Sequence, residues 1–301
     1  MRIGIFAGHT ANGPIDATVE AARAAADDGF ATFWLPQIFG MEALTALAVV
    51  GREVPLIELG TAVVPTYPRH PVTLAQEALT TQAISGGRLV LGIGLSHQPV
   101  IEGMFGLSFD KPLRHMREYL DVLVPLLRDG KVSSAGETIT GRAALDVRGA
   151  TPPPPVLLAA LGPKMLELAG TVVDGTVTWM TGAATIADHV VPVITNAAAA
   201  AGRPAPRVGV GLPVCVTDDV DAARERAAKL FEIYGTLPSY RAMLDREGAA
   251  GPADVAITGD EATVGAQIAH LESIGGTDFV ANIFGSKEER DRTWAFLRSM
   301  L

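Results

Sequence analysis

The chain has 301 residues, with 24 Lys and Arg against 33 Asp and Glu for a formal net charge of −9, and its pI is about 5.2. Hydrophobic residues make up 48% and charged residues 19%, which excludes a disordered chain and suits one large α/β barrel or two ordinary domains. The acidic balance argues against a general nucleic-acid binder, which needs a basic face, but leaves an anionic small ligand open because a pocket can be locally positive.

Short apolar runs alternate with Ala-rich segments of helical period. Ile3–Ala7 reads as a buried strand and residues 15–28 as a helix. Residues 32–36 (TFWLP) form a second strand, followed by a helix over 41–51 that stops at a glycine. The third strand is read over 57–64, and Pro71 opens a helix over 72–84, where its missing N–H goes unneeded. Residues 88–94 make a fourth strand and 113–127 the next long helix.

The second half repeats the theme. Strands are read over 156–160, 175–180, 208–216 and 278–283, with helices beginning near Pro163, Ala184 and Asp219. Thr217 is the candidate N-cap of the 219–233 helix. Ser286 and Glu289 spell a capping box for the terminal helix. Eight strands, each followed by a helical pattern, predict a single α/β domain over 1–301: a (β/α)8 TIM barrel rather than an open doubly wound sheet. Two stretches are surplus. Residues 131–154 read as a polar excursion, a short hairpin before strand 5, and residues 234–275 carry extra helices before strand 8.

The N-terminal stretch MRIGIFAGHT runs straight into a strand, without the basic and long apolar regions of a signal peptide. No apolar run approaches the roughly 18 residues that a membrane helix needs. The lone Cys215 excludes an internal disulfide and reads as core. A cytoplasmic, membrane-free setting is therefore expected, with a small-molecule substrate and no nucleic-acid partner.

In such a barrel, chemistry sits at the C-terminal strand ends. That ring is poor in carboxylates: only Asp218 and Asp219 qualify as a pair for glycoside hydrolysis. The six histidines, at 9, 70, 97, 115, 189 and 270, lack metal-site spacing, so no metal is expected. Gly92-Ile93-Gly94 lacks the third glycine of a dinucleotide fingerprint, and the two glycines read as letting the wall approach a flat ring. Gly162-Pro163-Lys164 is the best anion seat: a glycine opens a helix whose free N–H groups and dipole face the ligand, and a lysine adds charge. The competing reading is an ordinary turn with a surface lysine. His97 is the best acid–base candidate, since its ordinary pKa lies near neutrality and it follows a strand end. Trp179 and Met180 are candidate pocket walls. Arg69 and His70 read as holding their loop.

Taken together, GTAVVPTYPRHP (60–71), VTLAQEALTTQAISGGRLVLGIGLSH (72–97), AALGPKMLELAG (159–170) and DGTVTWMT (174–181) resemble the luciferase-like monooxygenase superfamily, and within it the actinobacterial branch that uses coenzyme F420. The resemblance implies a (β/α)8 barrel with the cofactor ring across its C-terminal mouth, and a bulge in strand 3 with a non-prolyl cis bond at Ala62–Val63. It implies cofactor contacts at Ala62, Val63 and Val64, at Gly94, Leu95, Ser96 and His97, and at Trp179 and Thr181. The strand-5 turn, Leu161, Gly162, Pro163, Lys164 and Met165, would hold the anionic tail. A homodimer is also implied. Sugar-phosphate dehydrogenases of that branch carry Asp-His after strand 2 and Glu after strand 4. Here Gln37 and His97 stand at those ends. Gln cannot accept a proton at neutral pH, so His97 alone would move protons while Gln37 keeps only the position.

The expected function is F420-dependent hydride transfer to or from an apolar unsaturated or carbonyl-type molecule. Phe105, Leu107, Phe109, Tyr234, Leu237 and Tyr240 of the surplus segments would shape the acceptor pocket. An FMN-dependent monooxygenase fed by a partner reductase is the first alternative. A non-catalytic flavin- or deazaflavin-binding protein is the second.

Overall fold

Each apolar run becomes a strand because both of its faces are covered, one by helices and one by the opposite wall. The computed structural model describes residues 1–301. Its barrel strands are β1 (Arg2–Phe6), β2 (Thr32–Leu35), β3 (Glu58–Thr61), β4 (Leu89–Gly94), β5 (Val156–Leu158), β6 (Gly175–Trp179), β7 (Arg207–Val216) and β8 (Asp278–Ile283). Each pairs in parallel with the next. Pairing of β8 with β1, with Ile3 opposite Phe279, closes the ring.

Alternation along the strands sorts the core into two parts. Ile3, Ile5, Phe33, Leu35, Leu59 and Leu91 pack outward against the helices. Trp34, Val90, Leu157, Val177 and Val280 fill the interior. Trp34 is the large interior residue, and glycines on both neighbouring strands make room for it. A β-carbon at Gly4 would lie 2.7 Å from Trp34 Nε1, and one at Gly60 would collide with the indole ring. The small-residue bias of the sequence therefore sits where one large ring fills the barrel.

The N-terminal strand ends form a charged floor beneath Trp34. Arg207 Nε and Nη2 donate to the two Asp278 oxygens at 2.8 and 2.6 Å, and Nη2 also reaches Glu58 at 2.6 Å. Arg2 and Thr32 complete the network through Glu58. The guanidinium lies 5.6 Å from the Trp34 ring centre. Burial alone would lower the Arg207 pKa, but its hydrogen bonds to Asp278 and Glu58 raise it overall.

Several expectations need correction. The third strand is not one run over 57–64. It stops at Thr61, carries a cis bond at Ala62–Val63, and resumes as Val64–Pro65 beside Ile93 and Gly94. Gly92 faces that break, where a β-carbon would collide with the Thr61 carbonyl oxygen, and one at Gly94 would lie 2.8 Å from Val63 Cγ2. These glycines admit the neighbouring strand. Thr217 is not the N-cap: Asp219 accepts from Ala222 N and caps a helix over Val220–Leu230, while the Thr217 hydroxyl accepts from Asp219 N and donates to Glu289. The helix read from Ala184 contains a wide turn at Ile186–Val190 before Val191–Ala200. Residues Gln98–Gly103 form a short helix that no periodic pattern announces.

The two surplus segments take different places. Lys131–Ala135 and Thr140–Ala144 pair as the expected hairpin. The other segment contributes helices Glu232–Thr236, Pro238–Glu247 and Glu261–Ser273, plus an unanticipated strand, Ile257–Gly259, beside β7. The Ser286–Glu289 capping box is present. Cys215 is buried, and burial, with Glu289 adding, pushes its thiol up to about 12. No helix is long and apolar enough to cross a membrane.

Candidate functional site

The C-terminal mouth of the barrel is aromatic. Phe6, at the end of β1, stacks on Trp179, at the end of β6, with centroids 5.5 Å apart and planes 18° apart. The segment before β8 folds over this pair. Phe231 and Tyr234 meet Trp179 edge-on at 6.0 and 5.8 Å, and Tyr240 meets Tyr234 at 5.1 Å. His97, after β4, lies 5.7 Å from Tyr240. Tyr234 and Tyr240 come from two successive helices, Glu232–Thr236 and Pro238–Glu247, whose path across the opening the sequence does not fix.

The expected pocket residues divide here. Tyr234 and Tyr240 reach the mouth, whereas Phe109 stacks on Tyr67, 5.1 Å away. Phe105 and Leu107 are exposed. Met180 is fully buried core and no pocket wall. Its φ of 52° turns the chain sharply after Trp179, and Ser96, with φ 62°, does the same after β4. Left-handed backbone at non-glycine residues is costly and clusters at functional sites. Ser96 sits on the rim, and Met180 turns the chain from within the core.

Ala62 and Val63 are half-buried and pack against the interior cluster beneath the mouth. Val64 is fully buried against the outer core, side chain and backbone alike. Thr181 is also buried, and its hydroxyl donates to the Trp179 carbonyl at 3.2 Å. Leu95 and Ser96 are half-buried at the rim. His97 sits at the N-cap position of its short helix without capping it through the side chain. Burial lowers its pKa from the ordinary value of 6.5, so the ring is uncharged at neutral pH. Gln37 Oε1 accepts from Ala43 N at 3.3 Å, at the start of helix Ala43–Glu53. Arg69 ties Glu42 and Glu77 at 3.0 and 3.1 Å. His70 accepts from Val72 N and so caps the helix over Pro71–Ile84.

The strand-5 turn opens to solvent. Gly162, Pro163 and Lys164 are exposed at the start of helix Pro163–Val172, and Gly162 offers no side-chain cap. Its φ of −75° suits any residue, and a β-carbon there would meet nothing within 4 Å. The fold therefore does not require glycine at this position. The absence of a side chain leaves the helix N-terminus open to an anion. Behind the turn, His189 Nε2 donates to the Leu161 carbonyl at 2.8 Å and fixes its direction. His189 carries no signal of this role in the sequence because it lies in a helix-period run. Met165 is half-buried beneath the turn. Trp179 Nε1 is buried beside the Tyr234 hydroxyl. An open anion seat and a flat aromatic wall fit a planar cofactor with an anionic tail.

Comparison with known proteins agrees with this geometry. The family described as luciferase-like monooxygenase matches residues 1–278. A putative coenzyme F420-dependent oxidoreductase of Mycobacterium tuberculosis is 35% identical over 188 residues, covering 58% of this chain and 54% of that protein. The chain thus spans about half the length of that relative. The F420-dependent tetrahydromethanopterin reductase of Methanopyrus kandleri superposes with a TM-score of 0.82 at 22% identity, covering 99% of this chain and 97% of that one. The FMN-bound oxygenating component of 3,6-diketocamphane monooxygenase from Pseudomonas putida gives 0.76 at 17% identity, covering 99% and 95%.

Proposed function

Because the chain belongs to the luciferase-like monooxygenase family, we propose that it is an F420-dependent oxidoreductase acting on an apolar unsaturated or carbonyl-type small molecule. The observation that carries this reading is the exposed strand-5 turn. A long anionic tail can lie across an open helix N-terminus, whereas FMN places one terminal phosphate in a closed pocket. The similarity to an F420-dependent oxidoreductase points the same way.

When bound, the deazaflavin supplies the hydride-carrying carbon. The protein's share is placement and protons. The free backbone N–H of Lys164, at the positive end of helix Pro163–Val172, and the Lys164 ammonium would hold the tail. Phe6 and Trp179 form an apolar wall, and Tyr234 and Tyr240 exclude water above it. No carboxylate stands among these aromatic side chains, so a cationic acceptor gains nothing there, whereas an apolar one is desolvated at little cost. His97, uncharged at neutral pH, accepts a proton from an alcohol, or supplies one to a reduced product after protonation from solvent.

The sign of the pH dependence follows. Alcohol oxidation that uses His97 as base rises with pH as the ring loses its proton, then levels off by neutrality. Acceptor reduction that uses it as acid falls over the same window, which lies below pH 6.5. His97→Ala is expected to remove this limb of the pH–rate profile and to cut turnover about 100-fold, with cofactor affinity changed less than tenfold. An unchanged profile and rate in His97→Ala would remove the proton role. The reaction class is tested by mixing the protein and reduced F420 with a panel of enones, imines and ketones and following deazaflavin reoxidation without oxygen. Acceptor-dependent turnover is expected. Tight binding without turnover over the whole panel would favour a non-catalytic carrier.

A further inference from the structure

We propose a second ligand site, for a phosphate group, in the cleft between the loop after β3 and the N-terminus of helix Pro112–Asp129. The cleft holds about 590 Å³ and shares no lining residue with the barrel mouth or the strand-5 turn. It is far larger than one water needs.

Three donor atoms of its lining residues have no hydrogen-bond partner. Tyr119 is fully buried, lines the cleft, and has a hydroxyl with no hydrogen bond. Tyr67 Oη and Arg69 Nη1 are likewise buried and unpaired. Burial raises the pKa of both phenols, Tyr67 to about 12 with Asp110 and Glu102 adding, so both keep their protons and can donate. The position of Tyr67 is fixed by its stack on His115, 3.8 Å away and 2° from parallel. His115 Nε2 in turn meets Thr66 Oγ1 at 3.0 Å. Burial pulls His115 down to about 4 although Glu118 opposes it, so the ring is a neutral platform at pH 7.

The helix end adds a second set of donors. The helix has 18 residues and begins at Pro112, which has no N–H, and Lys111 gives no side-chain cap. The first intrahelical bond found at this end is His115 N to Lys111 O, which leaves the Leu113 and Arg114 N–H groups free. Lys111 itself is held left-handed at φ 50°. Of the lining cations, Arg69 is paired with Glu42 and Glu77 and Arg114 with Glu137, which leaves the Lys111 ammonium as the one without a carboxylate partner, beside Asp110 in the same lining. Glu118, just outside, is occupied by the backbone of residues 137–139. Uncapped helix N–H groups, buried hydroxyl donors and the Lys111 ammonium in one cleft match the oxygens of a phosphate.

The test is a titration of the full chain with inorganic phosphate, followed by calorimetry, in wild type, Lys111→Asn, Tyr119→Phe and Gly162→Asp. Asparagine tolerates the left-handed backbone, and phenylalanine keeps the Tyr119 packing, so both variants are expected to melt at or above the wild-type temperature. Saturable binding is expected, weakened at least tenfold in Lys111→Asn and in Tyr119→Phe but retained in Gly162→Asp. Competition with glycerol 1-phosphate separates the sources: displacement assigns the cleft to phosphate esters, and its absence assigns it to the free ion. Absence of saturable binding, or binding lost in Gly162→Asp and unchanged in the other two, would overturn the proposal.

Discussion

Gly162→Asp is expected to leave the fold intact or slightly stabilised while lowering F420 affinity at least 100-fold. The two effects have opposite signs because one feature serves two purposes. Aspartate caps a helix better than glycine by a few tenths of a kcal/mol, and its charge suits the positive end of the helix dipole. The backbone is already in a conformation that aspartate adopts, and a β-carbon there would meet nothing within 4 Å. The same carboxylate, however, would occupy the free Lys164 N–H meant for the tail and repel it. A 100-fold loss corresponds to about 2.7 kcal/mol. Gly162→Ala, without the charge, is expected to fall between the variant and wild type. The checks are a thermal melt and a cofactor titration on each protein. Unchanged affinity in Gly162→Asp would place the tail elsewhere.

Arg207→Met is expected to destabilise the protein by about 3–5 kcal/mol, lowering the melting temperature by roughly 10 °C, without altering cofactor affinity. Arg207 is the cation of the barrel floor, and its loss would leave Asp278, which is 2% exposed, with the more distant Arg2 at 3.7 Å. Glu58 would retain Arg2 at 2.9 Å. The main penalty is the unpaired Asp278 charge in a site that water barely reaches. Adding Asp278→Asn to Arg207→Met should therefore recover part of the loss, a coupling that a double-mutant cycle measures. Cofactor binding is spared because the floor and the mouth lie at opposite ends of the strands. Denaturant melts of the four proteins check this. Equal stability of Arg207→Met and wild type would mean that the floor network contributes nothing.

The strands are legible because buried parallel strands leave continuous apolar runs, and Ile3, Leu59 and Val210 all fall in such runs. The turn at Gly162-Pro163-Lys164 is legible because helix N-termini obey local rules of chain chemistry. What faces the interior is not. The use of Gly4 and Gly60 depends on Trp34 lying between their strands, a contact between residues far apart in sequence. Gly92 misleads for the same reason, since its neighbour is the Thr61 carbonyl across the strand pair. Thr217 and Asp219 are both good caps, and only the interaction of Thr217 with Glu289 decides between them. The mouth is half legible. Trp179 and His97 follow strand ends, but Tyr234 and Tyr240 reach the opening through the path of an inserted segment that carries no periodic signal.

The most direct test of cofactor identity is a paired fluorescence titration of the purified protein with F420 and with FMN under identical conditions. Saturable binding of F420, at least tenfold tighter than that of FMN, is the result expected from an open strand-5 turn. Tighter binding of FMN would contradict the account and reassign the chain to the flavin-dependent monooxygenases of its family.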